Sequence, residues 1–178
     1  MTHECLTVFE DIFEAAKSGS VEDVRHFVEN EGVDVNVNVA HRTCAGTPLH
    51  TAAGFNSVDV LEYLISQGAN VNAQGSCGCT PLHTASFYNP NVEILRYLVS
   101  QGADINATNK FNQTPLYQAA IALHDSVEIL QYLISQGADV NSVYVLCGDN
   151  EEGKESILRE AGWRTGKTSE PQSSDCEL

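Results

Sequence analysis

Positive charge is what this sequence has least of. Nine Lys and Arg stand against 24 Asp and Glu in 178 residues, a formal net charge of −15. Nucleic-acid binding needs clustered Lys and Arg to displace counterions from phosphates, so no nucleic-acid partner is expected. The same deficit weighs against an anionic membrane surface. A basic protein partner is compatible with it, although acidity is also an ordinary route to solubility. Long apolar runs are missing too: no stretch approaches the roughly 20 apolar residues of a membrane-spanning helix. Met1-Thr2-His3-Glu4-Cys5 opens on an acid where a secretory leader would place basic residues. The expected setting is cytoplasmic, with nuclear or secreted roles left open. The six cysteines, Cys5, Cys44, Cys77, Cys79, Cys147 and Cys176, are expected to stay reduced.

Catalytic signatures are scarce as well. No serine or cysteine nucleophile pairs with a histidine base in a recognisable pattern. Gly162-Trp163-Arg164-Thr165-Gly166-Lys167-Thr168 is one residue short of a phosphate-binding loop, and it follows a helical stretch where that motif should follow a strand. Cys176 stands third from the end, where a prenylated cysteine would stand fourth. The carboxylates sit at helix starts and on polar faces, as solvated charges do. Neither an enzyme nor a cofactor is expected.

What is present is repetition. Thr47-Pro48-Leu49-His50-Thr51-Ala52 returns as Thr80-Pro81-Leu82-His83-Thr84-Ala85 and, altered, as Thr114-Pro115-Leu116-Tyr117-Gln118-Ala119, at intervals of 33 and 34 positions. A second element, Leu61 to Asn72, recurs at Leu95 to Asn106 and Leu130 to Asn141 with the same rhythm. Two motifs repeating together in a fixed order mark an array of stacked units. The Thr-Pro pair suits a helix start, the hydroxyl as N-cap and the proline where no N–H is missed. Ser57, Asn91 and Ser126 are candidate caps for a second helix in each unit. Those second helices carry Val60, Leu61, Leu64, Ile65 and their equivalents at helical spacing. Gly68, Gly102 and Gly137 fit the left-handed position that ends a helix.

The period, the Thr-Pro-Leu-His motif and the glycine-terminated second helix together resemble the ankyrin repeat family, from about Asp11 to Trp163. The resemblance implies an all-α solenoid of helix-turn-helix units with short β-hairpin fingers. Three full repeats, 39–73, 74–107 and 108–142, are expected between an N-terminal capping repeat at 1–38 and a short C-terminal cap at 143–164. A disordered tail at 165–178 follows. The first segment has Phe9, Phe13 and Ala16 and then Val24, Phe27 and Val28 at helical spacing, but Glu10, Asp11 and Glu14 replace the Thr-Pro-Leu signature. A polar version suits an end repeat, which has one face in water. Asp34 to Val39 alternates as an extended hairpin arm would. The loop from Asn36 to Thr47 is three residues longer than its siblings, as a plain surface insertion or as an enlarged binding rim. Local bulges are expected at Asn89-Pro90 and Leu123-His124-Asp125, where the spacing between motifs grows. A last helix is expected over Lys154 to Glu160, with Ile157-Leu158 packing on the third repeat.

In this family partners are held by the finger tips and the exposed face of the first helices. Carried over by position, the helix residues are Gly54 and Phe55, Phe87 and Tyr88, and Ile121 and Ala122. The finger residues are Thr43 and Cys44, then Ser76, Cys77 and Cys79, then Lys110, Phe111 and Gln113. Phe55, Phe87, Tyr88, Phe111 and Ile121 form an apolar strip that a repeat does not need for its own core, unless the bulges turn Phe87 and Tyr88 inward. His50 and His83, in first helical turns, are read as structural rings bonded to adjoining backbone. Cys44, Cys77 and Cys79 with His41 have the ligand types of a soft metal site but not its usual spacing. The expected function is a non-catalytic protein-protein interaction module, monomeric, acting through the concave strip. The alternatives are a structural or regulatory subunit held by its ends or convex face, and a thiol or metal sensor.

Overall fold

The structure, a computed structural model, describes residues 11–38, 46–55, 57–143 and 151–163. Its helices run as α1 (Ile12–Ser18), α2 (Val21–Arg25), α3 (Pro48–Phe55), α4 (Val58–Ser66), α5 (Pro81–Tyr88), α6 (Val92–Ser100), α7 (Pro115–Ile121), α8 (Val127–Ser135) and α9 (Glu151–Glu160). Helix α2 continues through a π turn at His26–Asn30, and a 3-10 turn spans Val140–Ser142.

The helices form two layers. Helices α1, α3, α5 and α7 pack in sequence as one layer, and α2, α4, α6 and α8 as the other, with α9 closing against α8. The first layer is built from small residues: Ala15 and Ala16, Ala52 and Ala53, Ala85 and Ser86, and Ala119 and Ala120 are all fully buried. A Cβ added at Gly54 would come 3.0 Å from Cγ2 of Thr84, so α3 and α5 approach closely there. The second layer supplies bulk through Leu61, Leu64, Leu95, Leu98, Leu130 and Leu133, also fully buried. Each such side chain contributes roughly 1.5–3 kcal/mol of transfer free energy.

Helix ends follow the local chemistry. Gly68, Gly102 and Gly137 have φ of 90°, 89° and 92°. The next amide closes each end: Ala69, Ala103 and Ala138 N–H donate to the Leu64, Leu98 and Leu133 carbonyls, each at 3.0 Å. Asp11 caps α1, accepting from the Phe13 and Glu14 amides at 2.9 and 3.0 Å. The acid in the place of the missing Thr-Pro motif thus does the capping work of the threonine. Ser20 opens α2 in a reciprocal box with Asp23.

Several expectations change. No strand occurs among the described residues; the fingers are tight turns closed by Gly75 N–H to the Cys79 carbonyl (2.8 Å) and Asn109 N–H to the Gln113 carbonyl (3.0 Å). Each is too short for a ladder. Asp34 to Val37 is a turn, not an extended arm, because the Asp34 carboxylate accepts the Asn36 amide (2.8 Å) and its carbonyl accepts Val37 N–H (2.9 Å). Ser126 does not cap α8 with its side chain. Its hydroxyl donates to the Ala119 carbonyl at 2.6 Å, and Asp125 accepts the Val127 amide at 3.2 Å instead. Helix α9 starts at Glu151, three residues before Lys154. Leu158 is fully buried as expected, and Ile157 packs half-buried against the core. Phe9, the expected long loop beyond Asn38 and the expected tail from Thr165 lie outside the described residues.

Candidate functional site

The first layer is held at both ends, and that fixes the surface it presents. At the start of α3, Nδ1 of His50 accepts the Thr47 amide (3.0 Å), and Nε2 donates to the Cys79 carbonyl in the next finger (2.9 Å). His83 repeats this on Thr80 (3.1 Å) and the Gln113 carbonyl (3.0 Å). A neutral ring protonated on Nε2 satisfies both bonds. Burial pushes both imidazoles below their ordinary pKa, against the raising effect of the carbonyls they donate to. Tyr117 lacks this geometry; there the Thr114 hydroxyl accepts the Tyr117 amide (3.2 Å) and bonds the Ser142 hydroxyl (2.7 Å).

At the other end of the first helices, the extra residues of the connections reach back one repeat. Nδ2 of Asn89 donates to the Ala53 carbonyl (3.1 Å), and Nε2 of His124 bonds the Phe87 carbonyl (3.1 Å). Nδ1 of His124 is buried without a partner among the described residues. Lys154, fully buried, donates to the Ala122 carbonyl at 2.5 Å and the Ala120 carbonyl at 3.4 Å. The two bulges thus tether the last carbonyls of α3 and α5, and Lys154 of α9 does the same at the end of α7.

Phe55 and Tyr88 are the last residues of α3 and α5, and they project from this pinned layer at 51% and 38% exposure. Their rings lie 5.2 Å apart at 36°, and Phe87, half-buried, meets Tyr88 edge-on at 4.7 Å. Lys17 of α1 places its ammonium 5.7 Å from the Phe55 ring centroid. Ile121 is half-buried, Gly54 and Ala122 are buried, and Leu123 just beyond is 70% exposed. Sequence reasoning placed Leu123 in an insertion and passed over it. The available signal was its apolar character between His124 and the end of α7.

In the fingers, Phe111 is 64% exposed at a turn tip. Asn109 organises that turn, its Oδ1 accepting the Phe111 and Gln113 amides at 2.9 and 3.0 Å. Its Nδ2 donates to the Gln113 side chain (3.0 Å) and lies 3.5 Å from Sγ of Cys79. Asn112 takes φ 60° where the preceding finger has Gly78 at 74°. Nζ of Lys110 donates to the Ser76 carbonyl at 2.7 Å, and its amide to the Cys77 carbonyl at 3.0 Å, so adjacent fingers are joined. Cys77 and Cys79 are half-buried and are not joined in a disulfide. Among the described residues no three His, Cys, Asp or Glu side chains gather as a metal site. Thr43, Cys44 and His41 lie outside the described residues. No helix among the described residues is long and apolar enough to cross a membrane.

Known proteins agree with this layout. The family description "Ankyrin repeats (3 copies)" matches residues 12–109 and 76–144. Alpha-latrocrustotoxin-Lt1a and alpha-latroinsectotoxin-Lt1a of Latrodectus tredecimguttatus are each 42% identical over 64 residues, 36% of this chain. The matched stretch spans 4% of the length of either relative. With its family match covering most of the sequence, the protein belongs to the ankyrin repeat family.

Proposed function

We propose that this protein is a non-catalytic protein-binding module that uses the face formed by the first helices and the fingers. One observation carries the reading. The large hydrophobic side chains exposed among the described residues, Phe55, Tyr88, Phe111 and Leu123, all belong to that layer and its connections, and none to the second helices. A patch of aromatic rings in water is the usual mark of an interaction surface, and aromatics are the usual anchors of one. Phe87 backs the Tyr88 ring edge-on, and Ile121 is half-buried at the end of α7. Lys110, Gln113, Ser76, Cys77 and Cys79 form the finger rim, and Thr43 belongs to it by position.

The test is affinity capture with the wild-type chain beside a Phe55→Ala, Tyr88→Ala, Phe111→Ala variant shown to be folded by circular dichroism. A protein retained by wild type and lost by the variant, by tenfold or more as about 1.4 kcal/mol of anchor energy would give, supports the reading. Equal retention moves the contact to the ends or the second-helix side, as for a subunit held in a larger assembly.

A further inference from the structure

Cations are few in this protein, and most of those among the described residues are already matched. Arg25 lies 3.7 Å from Glu29, Arg96 lies 3.2 Å from Glu93, and Arg159 pairs with Glu155. The Lys154 ammonium is buried on the Ala120 and Ala122 carbonyls. Lys17 and Lys110 are exposed, and neither makes an ion pair with a carboxylate among the described residues. Both stand beside the exposed rings. Lys17 holds its ammonium 5.7 Å from the Phe55 ring centroid, and the Phe55 ring lies 5.2 Å from that of Tyr88. Lys110 precedes Phe111 at the finger tip, where its ammonium bonds the Ser76 carbonyl at 2.7 Å and keeps its charge.

The corner of Lys17, Phe55 and Tyr88 joins a cation to two rings. The ring quadrupole attracts the ammonium on one side and leaves its other side open to a full negative charge. The acids of the protein do not fill that place. Glu14, exposed one turn earlier on α1, makes no ion pair with Lys17 among the described residues. Asp125 follows α7, three helices along the layer, on the order of 25 Å away at the usual spacing of packed helices. Asp59, Glu62, Glu93 and Glu128 are exposed on the second helices, in the other layer. At physiological ionic strength their field is screened over about 8 Å.

Such a corner selects by charge. A carboxylate beside Lys17 gains a charge-assisted bond on the open side of the ammonium. An aromatic or aliphatic neighbour on the same segment covers the Phe55 and Tyr88 rings. A Lys or Arg in that place would meet like charge, and basic segments are drawn instead to the acidic second-helix layer.

We infer that the corner formed by Lys17, Phe55 and Tyr88 takes a protein segment in which a carboxylate side chain lies next to an aromatic or aliphatic one. This rests on the binding face proposed above and adds the chemistry of its partner.

The experiment is a selection from a randomised peptide display library on the immobilised full chain. The selected peptides are then titrated against wild type and three variants shown to be folded by circular dichroism: Lys17→Gln, Lys17→Glu, and Phe55→Ala with Tyr88→Ala. Each peptide is also titrated with its acids replaced by the corresponding amides. The inference expects peptides that hold Asp or Glu beside an apolar residue. Lys17→Gln and the amide replacement should each weaken binding by about threefold or more, and together by little more than either alone. Lys17→Glu should weaken it further, and the ring variant by about tenfold or more. Peptides that depend on the rings but not on Lys17, or whose acids are dispensable, would overturn the carboxylate and leave the face standing. Peptides bound equally by wild type and the ring variant, basic ones included, would overturn the face itself, and failure to select any acidic peptide would overturn the inference.

Discussion

Asn72 and Asn141 occupy the same place in their turns and have different partners. Nδ2 of Asn72 donates to the Gly102 carbonyl at 2.9 Å, and its Oδ1 accepts the Asp104 amide at 2.9 Å. Asn36 and Asn106 make the same two bonds to Gly68 and Asn70 and to Gly137 and Asp139. Each couples one repeat to the end of the next second helix. Asn141 turns back to Asp139 in its own turn, at 3.1 Å. Asn72→Ala should therefore lower stability by about 1–2 kcal/mol, since it removes two bonds and leaves a helix-end carbonyl to water. Asn141→Ala should stay within about 0.5 kcal/mol. Urea denaturation of the two variants checks this, and equal midpoints would contradict it. The recurrence of these asparagines was plain in the sequence, but their bonds were not, because donor and acceptor stand 30 to 34 positions apart. A pattern of single residues records spacing along the chain. It does not record which carbonyl a stacked neighbour will present.

Helix α9 shows the same limit for an element. Its core contact at Leu158 was legible from apolar spacing, and its end at Glu160 falls where the sequence placed it. Lys154 was not legible. A lysine in a charged helix reads as solvated, and only the closing of α9 over the end of α7 buries it on the Ala120 and Ala122 carbonyls. Those carbonyls sit at the negative end of α7, so the ammonium gains from bonds and dipole together. Lys154→Met keeps most of the aliphatic stem and removes the donor; it should cost about 1–3 kcal/mol. Arg159 pairs with Glu155 on the exposed side of the same helix. Its replacement by alanine should move stability by less than about 1 kcal/mol. Thermal unfolding of the two variants compares them directly. If Arg159→Ala proves the more damaging, α9 is not held by the buried lysine. The connections before α6 and α8 were similarly half-legible: extra residues predicted bulges, but not that Asn89 and His124 would tether them to the previous repeat.

For the molecule as a whole, the two buried histidines tie stability to pH. His50 and His83 each bridge a helix start to the following finger, so protonating either ring removes the Nδ1 acceptor that holds a threonine amide. Burial is the main cause of their lowered pKa; His83 adds a smaller lowering effect at His50, while Asp104 acts in the raising direction at His83. The sign follows from proton counting. Above the unfolded value of about 6.5 both states are neutral and the contribution is fully present. Below it the unfolded chain takes up protons that the folded chain resists, and stability is lost progressively as pH falls through the depressed folded values. The wild-type urea midpoint should therefore drop between about pH 8 and about pH 5. A His50→Gln, His83→Gln variant should begin lower, having lost the bridges, and fall less over the same interval. The remaining histidines are common to both proteins and cancel in the difference. Parallel slopes would mean that the bridging rings do not govern the response. A steeper wild-type slope would show that the neutral rings joining the fingers also set the pH range in which the layer holding Phe55 and Tyr88 stays assembled.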